Sequence, residues 1–164
     1  MDLVLQLIGQ YGVLVVFVAV LLEQGGLPVP AYPLLILASS LAFASGEALW
    51  PIVLAAVAGA LLADLVWFAG GHRVGARLIR LICSLAPSPD ACAIGVRDTY
   101  SRWGLPSLII AKFVPGLAAV ATTMAGQTGV PVSKFILFDG LGAALWVGAA
   151  VLLGVAFHDV VSDV

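Results

Sequence analysis

Four charged side chains stand where an apolar chain would ordinarily carry none. Glu23, Asp64, Lys112 and Asp139 each sit in or against a long hydrophobic stretch. An ionisable group at the centre of a membrane helix costs about 2.5–3.5 kcal/mol on insertion scales, so such groups turn toward a partner or a wet cavity. Their types suit the handling of charge. A carboxylate can take a proton or pair with a cation, and a lysine can hold a phosphate as a point charge. Asp64 lies inside the apolar run 48–71 and is too short to snorkel. Its plainer role is a hydrogen bond to a neighbouring helix. Glu23 directly precedes a proline-rich stretch; a glutamate after a span is otherwise an exposed helix end. Lys112 is flanked by Ile109, Ile110, Ala111, Phe113 and Val114. It reads as a phosphate-binding cation, against the alternative of snorkelling to the interface. Asp139 falls in the first turns of its helix, where the dipole already favours a carboxylate. These four form the expected substrate- or proton-binding set.

Two interrupted segments must position them. Pro28, Pro30 and Pro33 open the run 23–45, and Pro115 with Gly116 interrupts the run 105–132. Proline removes a backbone donor and clashes with the preceding turn. Backbone groups freed at membrane depth persist only where protein or water satisfies them. Each segment is therefore predicted to be a re-entrant hairpin, with Ser39 and Ser40 near the tip or return arm of the first. Paired broken segments, one per half, are a sequence pointer to a transporter's binding site.

Spanning helices are predicted at 3–22, where Gln6 and Gln10 sharing a face leaves a tilted lie as the alternative, at 48–71, and at 134–157 behind a Ser133 cap. Ala55, Ala58, Gly59, Ala60 and Ala63 give the second a small-residue face that permits close helix approach. Gly140, Gly142, Ala143, Ala144, Gly148 and Ala149 do the same for the third, and such faces also permit a homodimer. Each half thus runs broken segment, then small-residue helix. With the centre of the chain inside, the halves are inverted.

Composition agrees. The chain has 164 residues, 62% hydrophobic and 10% charged, with a mean hydropathy of +1.15. That excludes an ordinary soluble domain. Five of the seven cations, Arg73, Arg77, Arg80, Arg97 and Arg102, lie in the segment 72–104, which places it on the cytoplasmic side. Within it, Leu78, Leu81, Ile82 and Leu85 oppose Arg73, Arg77 and Arg80, an amphipathic helix suited to anionic headgroups. Ser88, Pro89 and Asp90 then open a second helix that ends at Gly104. Cys83 and Cys92 lack the further ligands of a zinc site and are expected to be free thiols in a reducing compartment. His72 and His158 read as interfacial, and Gly70-Gly71 as a helix end. Met1-Asp2 lacks the basic start of a cleaved signal peptide. No nucleophile elbow, zinc-protease helix or P-loop is present, so neither an enzyme, a metal site, a cofactor nor a nucleic-acid partner is expected.

In order and spacing, several motifs resemble one family. They are Glu23-x4-Pro28-x-Pro30; Gly59-x4-Asp64-x2-Trp67-x2-Gly70-x4-Gly75; Lys112-Phe-Val-Pro-Gly; Ala125-Gly126; and Phe138-Asp139-x2-Gly142-Ala143-x2-Trp146. Together they resemble the DedA (SNARE-associated, VTT-domain) membrane proteins over nearly the whole chain. The resemblance implies an all-α polytopic protein of the inner membrane. It implies a single domain over 1–164, with inverted halves, two re-entrant helical hairpins and spanning helices. The function it implies is lipid transport of flippase or scramblase type, acting on a phospholipid or undecaprenyl phosphate, with protons as a second partner. Gly59, Gly126, Gly142 and Trp146 are then helix-packing positions. Two positions depart from many bacterial members: Leu35 stands where an acidic residue is common, and Ala118 where a second arginine is common. On this reading Glu23 and Lys112, on facing hairpins beside Asp64, line a polar track. The alternative is a structural or assembly protein of the membrane without transport activity.

Overall fold

The computed structural model describes residues 2–114 and 116–158, with side chains from Tyr11 onward. Pro115, the side chains of Gln6 and Gln10, and the acidic tail with Asp159 and Asp163 lie outside the described residues. Seven helices account for the described fold: α1 (Asp2–Gln24), α2 (Ala31–Ala44), α3 (Trp50–Cys83), α4 (Pro89–Trp103), α5 (Ser107–Ala111), α6 (Leu117–Gln127) and α7 (Val132–Ala156). The helices α3 and α7 are long and apolar enough to cross a bilayer. Their outward faces carry Leu54, Val66, Leu137, Leu145 and Leu152, as lipid-facing surfaces do. The chain divides into two compact units, residues 1–60 with 144–164, and residues 61–143.

In the first unit the turn after α1 explains the proline cluster. The N–H of Leu27 bonds the Leu22 carbonyl at 3.0 Å, and that of Gly26 bonds the Glu23 carbonyl at 3.0 Å. This is a Schellman closure, and Gly26 supplies the positive φ of 102° that it needs. Pro28 and Pro30 lie in the connection that follows. Pro33 breaks no helix: it occupies the first turn of α2, where a missing N–H has no intrahelical acceptor to lose. The run 23–45 therefore holds one helix rather than two arms, and α2 packs along α1. Ser39 and Ser40 are buried in mid-helix, away from any tip. The Ser39 hydroxyl donates to the Leu35 carbonyl at 2.8 Å, which satisfies it without a partner from outside its helix. Leu35 is itself fully buried.

Helix contacts in this unit are close because the side chains are small. A Cβ on Gly59 would stand 2.7 Å from the Phe17 carbonyl oxygen of α1. Gly154 of α7 lies against Ile36 and Ser39 of α2 in the same way. Trp146 is buried, with its ring 4.9 Å from that of Tyr32. His158 meets the Phe43 ring edge-on at 5.0 Å.

The predicted helix 48–71 and the start of the amphipathic segment prove to be one helix, α3, which continues into the second unit and bends there at Val74 (φ −138°, ψ 26°). Gly71 is therefore not a helix end but a buried mid-helix contact. A Cβ there would overlap the Thr123 carbonyl oxygen of α6, and one on Gly126 of α6 would overlap the Phe68 carbonyl oxygen of α3. The helix α4 begins as its sequence indicates, with Ser88 before it and Pro89 in its first turn, and stops at Gly104 (φ 58°). Cys83 and Cys92 are not free thiols: they form a disulfide joining α3 to α4. Their spacing lets the 84–91 turn bring the two Cα atoms to 5.7 Å, within bonding reach.

Two apolar clusters hold the unit together. Phe68, Leu108, Ala111, Ala121, Ala125 and Phe135 form one, with the Phe68 and Phe135 rings stacked at 4.3 Å. Ile79, Cys83, Val96, Val120 and Met124 form the other. A hydrogen bond links α4 to the end of α6, Tyr100 Oη to Thr128 Oγ1 at 3.2 Å. Thr128 already donates its one hydroxyl proton to the Ala125 carbonyl, so tyrosine is the donor here. Tyr100→Phe should cost about 0.5–1 kcal/mol, read as a lowered unfolding midpoint in detergent; an unchanged midpoint would show that water substitutes fully for the bond.

Candidate functional site

The second broken segment is built around a turn. The helix α5 stops at Ala111, and the chain closes tight i→i+3 bonds, Phe113 N–H to Ile110 O and Val114 N–H to Ala111 O, both 3.1 Å. It re-enters helix at Leu117 through Gly116, whose φ of 80° is open to glycine and strained for other residues. Lys112 sits at the head of this turn. Its side chain points inward, because Gly142 of α7 leaves the space: a Cβ there would stand 3.2 Å from Lys112 Cγ. The lysine stem crosses this gap and carries the ammonium to two carboxylates.

Those carboxylates are Asp64 of α3 and Asp139 of α7. Lys112 Nζ donates a hydrogen bond to Asp64 Oδ2 and lies 3.2 Å from Asp139 Oδ1. The second contact is an ion pair by distance but lacks hydrogen-bond angles. All three side chains are 0% exposed. The signs do not balance, one cation against two anions. Asp64 Oδ1 and Asp139 Oδ2 are enclosed with no hydrogen-bond partner. Buried charge is tolerated where it is paired and hydrogen-bonded, and here part of the hydrogen-bonding capacity is left open. A proton, a water or a polar group of a ligand fits that chemistry.

Helix periodicity places the two acids. Asp64 and Phe68 are one turn apart on α3, as are Phe135 and Asp139 on α7. The stacked phenyl rings bring the two faces into register, so both carboxylates reach the same lysine. The sequence carries this pairing as a local signal, Asp-x3-Phe on one helix and Phe-x3-Asp on the other. Buried hydroxyls surround the cluster's neighbours but serve their own helices. Thr122 donates to the Ala118 carbonyl at 2.9 Å, and Thr123 to that of Ala119 at 2.6 Å. Ala118 is buried.

Glu23 belongs to the first unit and the Asp64–Lys112–Asp139 cluster to the second. Glu23 is half-buried. It lies near the Ala31 backbone N–H at the start of α2, a group that bonds the Val29 carbonyl at 2.9 Å. Its Oε2 is enclosed without a partner. In the same unit a cavity of about 500 Å³ is lined by Tyr11, Leu14, Leu41, Ser45, Glu47 and Ile52 among others. Arg73, just before the bend of α3, and Arg77 and Arg80, beyond it, are exposed.

Comparison with known proteins gives the family of the chain. The sequence profile of the VTT domain matches residues 29–156. A Synechocystis sp. protein named Uncharacterized membrane protein slr0232 is 30% identical over 152 residues, 93% of this chain and 69% of that one. Uncharacterized membrane protein YbfM of Bacillus subtilis is 26% identical over 154 residues, 94% of this chain and 95% of its own length. Inner membrane protein YghB of Escherichia coli is 29% identical over 145 residues, 87% of this chain and 66% of its own length. No solved structure matches. With two bilayer-length helices, relatives named as membrane proteins, and a domain match that takes in the turn at Lys112 and all of α7, this chain belongs to the VTT-domain (DedA) family of membrane proteins.

Proposed function

We propose that this protein carries the phosphate-bearing headgroup of a membrane lipid, a phospholipid or undecaprenyl phosphate, across the inner membrane while the acyl chains stay in lipid. The observation behind this reading is the enclosed Asp64–Lys112–Asp139 cluster at the break between α5 and α6. An anionic headgroup competes with the two carboxylates for one ammonium. Its passage requires that a carboxylate let go, and a proton taken up by that carboxylate is the simplest way to make it do so. Such a step would couple passage of the headgroup to a proton.

In this reading each interrupted segment dips into the bilayer beside its own charged group. Glu23 is the acidic group of the first half. The basic arm 72–104 lies on the cytoplasmic face, where Arg73, Arg77 and Arg80 rest on anionic headgroups. The apolar lining beside Glu47 and Ser45 suits a lipid chain with its polar end at the rim.

The test is reconstitution into vesicles with a fluorescently tagged phospholipid, its leaflet position read by chemical quenching from outside. Wild-type protein should speed exchange over protein-free vesicles. Glu23→Gln and Lys112→Ala, compared at equal amounts of folded protein, should slow it about ten-fold or more, since each loses a charge-assisted contact. Wild-type rates in both variants would remove the assignment. No exchange with wild type, together with a membrane partner whose co-purification is lost on neutralising Arg77 and Arg80, would favour an assembly role instead.

A further inference from the structure

The Cys83–Cys92 disulfide ties the end of α3 to the first turn of α4. Besides it, α4 is held by the Tyr100–Thr128 hydrogen bond and by a narrow apolar strip. Val96 is its one fully buried residue, with Cys92, Ala93 and Tyr100 packed beside it on Ile79, Val120 and Met124. Arg97, Asp98 and Arg102 are exposed. A short loop closed by a disulfide thus adds a covalent tie to a helix with one fully buried residue. The same segment carries five arginines, which orient it toward the cytoplasm, where small thiols and dithiol proteins keep cysteines reduced. A bond that the fold closes and the compartment opens is set to change state.

We propose that Cys83–Cys92 is a redox-operated clip that pins α4 to α3 and α6 when closed and lets α4 detach when open. The geometry favours attack at Cys92. Cys92 is half-buried, whereas Cys83 is 1% exposed. A thiolate of a dithiol reductant bonds to Cys92 Sγ, and the Cys83 sulfur leaves and takes a proton. The reductant's second thiolate then displaces Cys92, which takes the second proton. Two electrons and two protons pass to the protein, and the reductant ends as a disulfide. Closure is the reverse reaction with a disulfide oxidant.

Opening reaches further than α4. On α6, Val120 and Met124 pack under the clip, while Ala121 and Ala125, one position on, pack in the Phe68–Phe135 cluster. The helix that follows the Lys112 turn is therefore supported on one face by α4. This inference rests on the disulfide and the arginine-based orientation and is independent of the transport reading.

The experiment uses the full chain in lipid nanodiscs, digested briefly with trypsin with and without dithiothreitol, following cleavage after Arg97 and Arg102. Reduction should speed those cuts about ten-fold or more, from the chain entropy that a loop of this size restores. Cys83→Ser/Cys92→Ser should be cut at the reduced rate under both conditions. In cells, alkylation of free thiols before lysis should find the pair largely free, and a thiol oxidant should close it. Equal cleavage with and without reductant in the wild-type protein overturns the proposal. So does a pair that stays bonded, or stays free, whatever the treatment of the cells.

Discussion

Replacing Lys112 by methionine should destabilise the protein by about 3–5 kcal/mol, because removing one partner leaves uncompensated buried charge. The two carboxylates left behind, Asp64 and Asp139, are fully enclosed. Neither can be rehydrated without opening the packing of α3, α5 and α7. The loss should appear as a lower detergent-unfolding midpoint. The triple variant Lys112→Met/Asp64→Asn/Asp139→Asn should recover most of it, since no charge then remains to be buried. Stability and transport should separate in that triple variant: folded, yet without the ammonium that the proposed headgroup needs. Should Lys112→Met unfold at the wild-type midpoint, the cluster is open to water and the description of an enclosed site is wrong.

The second large effect concerns backbone. Gly71→Ala and Gly126→Ala should each cost about 3 kcal/mol, at the upper end of ordinary overpacking. Here the added methyl meets a carbonyl oxygen of the facing helix rather than a side chain that can turn away. The two contacts are reciprocal: Gly71 of α3 faces the Thr123 carbonyl of α6, and Gly126 of α6 faces the Phe68 carbonyl of α3. Either substitution forces the same two helices apart. The double variant should therefore cost clearly less than the sum of the singles. Gly95→Ala in α4 is the control. Nothing lies within 4 Å of its added Cβ, and it should be stabilising by about 0.5–1 kcal/mol. Thermal unfolding of the four proteins in one detergent decides the matter; strict additivity would mean that the two glycines act at separate contacts.

Much of the helical plan was legible because it follows local rules. Apolar length predicts the spanning parts of α3 and α7, and Ser88-Pro89-Asp90 with Gly104 predicts both ends of α4. Other expectations failed where local rules leave a choice. Pro33 is as compatible with the first turn of a helix as with a break, and the chain takes the former. The bend at Val74 has no proline to announce it, so two predicted helices turned out to be one. Gly71 looks like a terminus from its neighbour Gly70, but its role is to admit the backbone of α6.

The site divides along the same line. That Asp64 could not face lipid followed from the sequence alone, since a short charged side chain deep in an apolar run cannot reach water; for Lys112 the sequence left snorkelling open, and for Asp139 a dipole-favoured place in the first turns of its helix. That they would satisfy one another was decided by tertiary structure. Asp64 and Lys112 are 48 positions apart, and only the stacking of Phe68 on Phe135 and the space above Gly142 bring their helices into register. The cysteines show the same division. Their residue types and spacing allowed either free thiols or a bond, and the turn between α3 and α4 chose the bond by bringing their Cα atoms within reach. Periodicity and hydropathy act between neighbours in sequence, whereas ion pairs and disulfides form between neighbours in space.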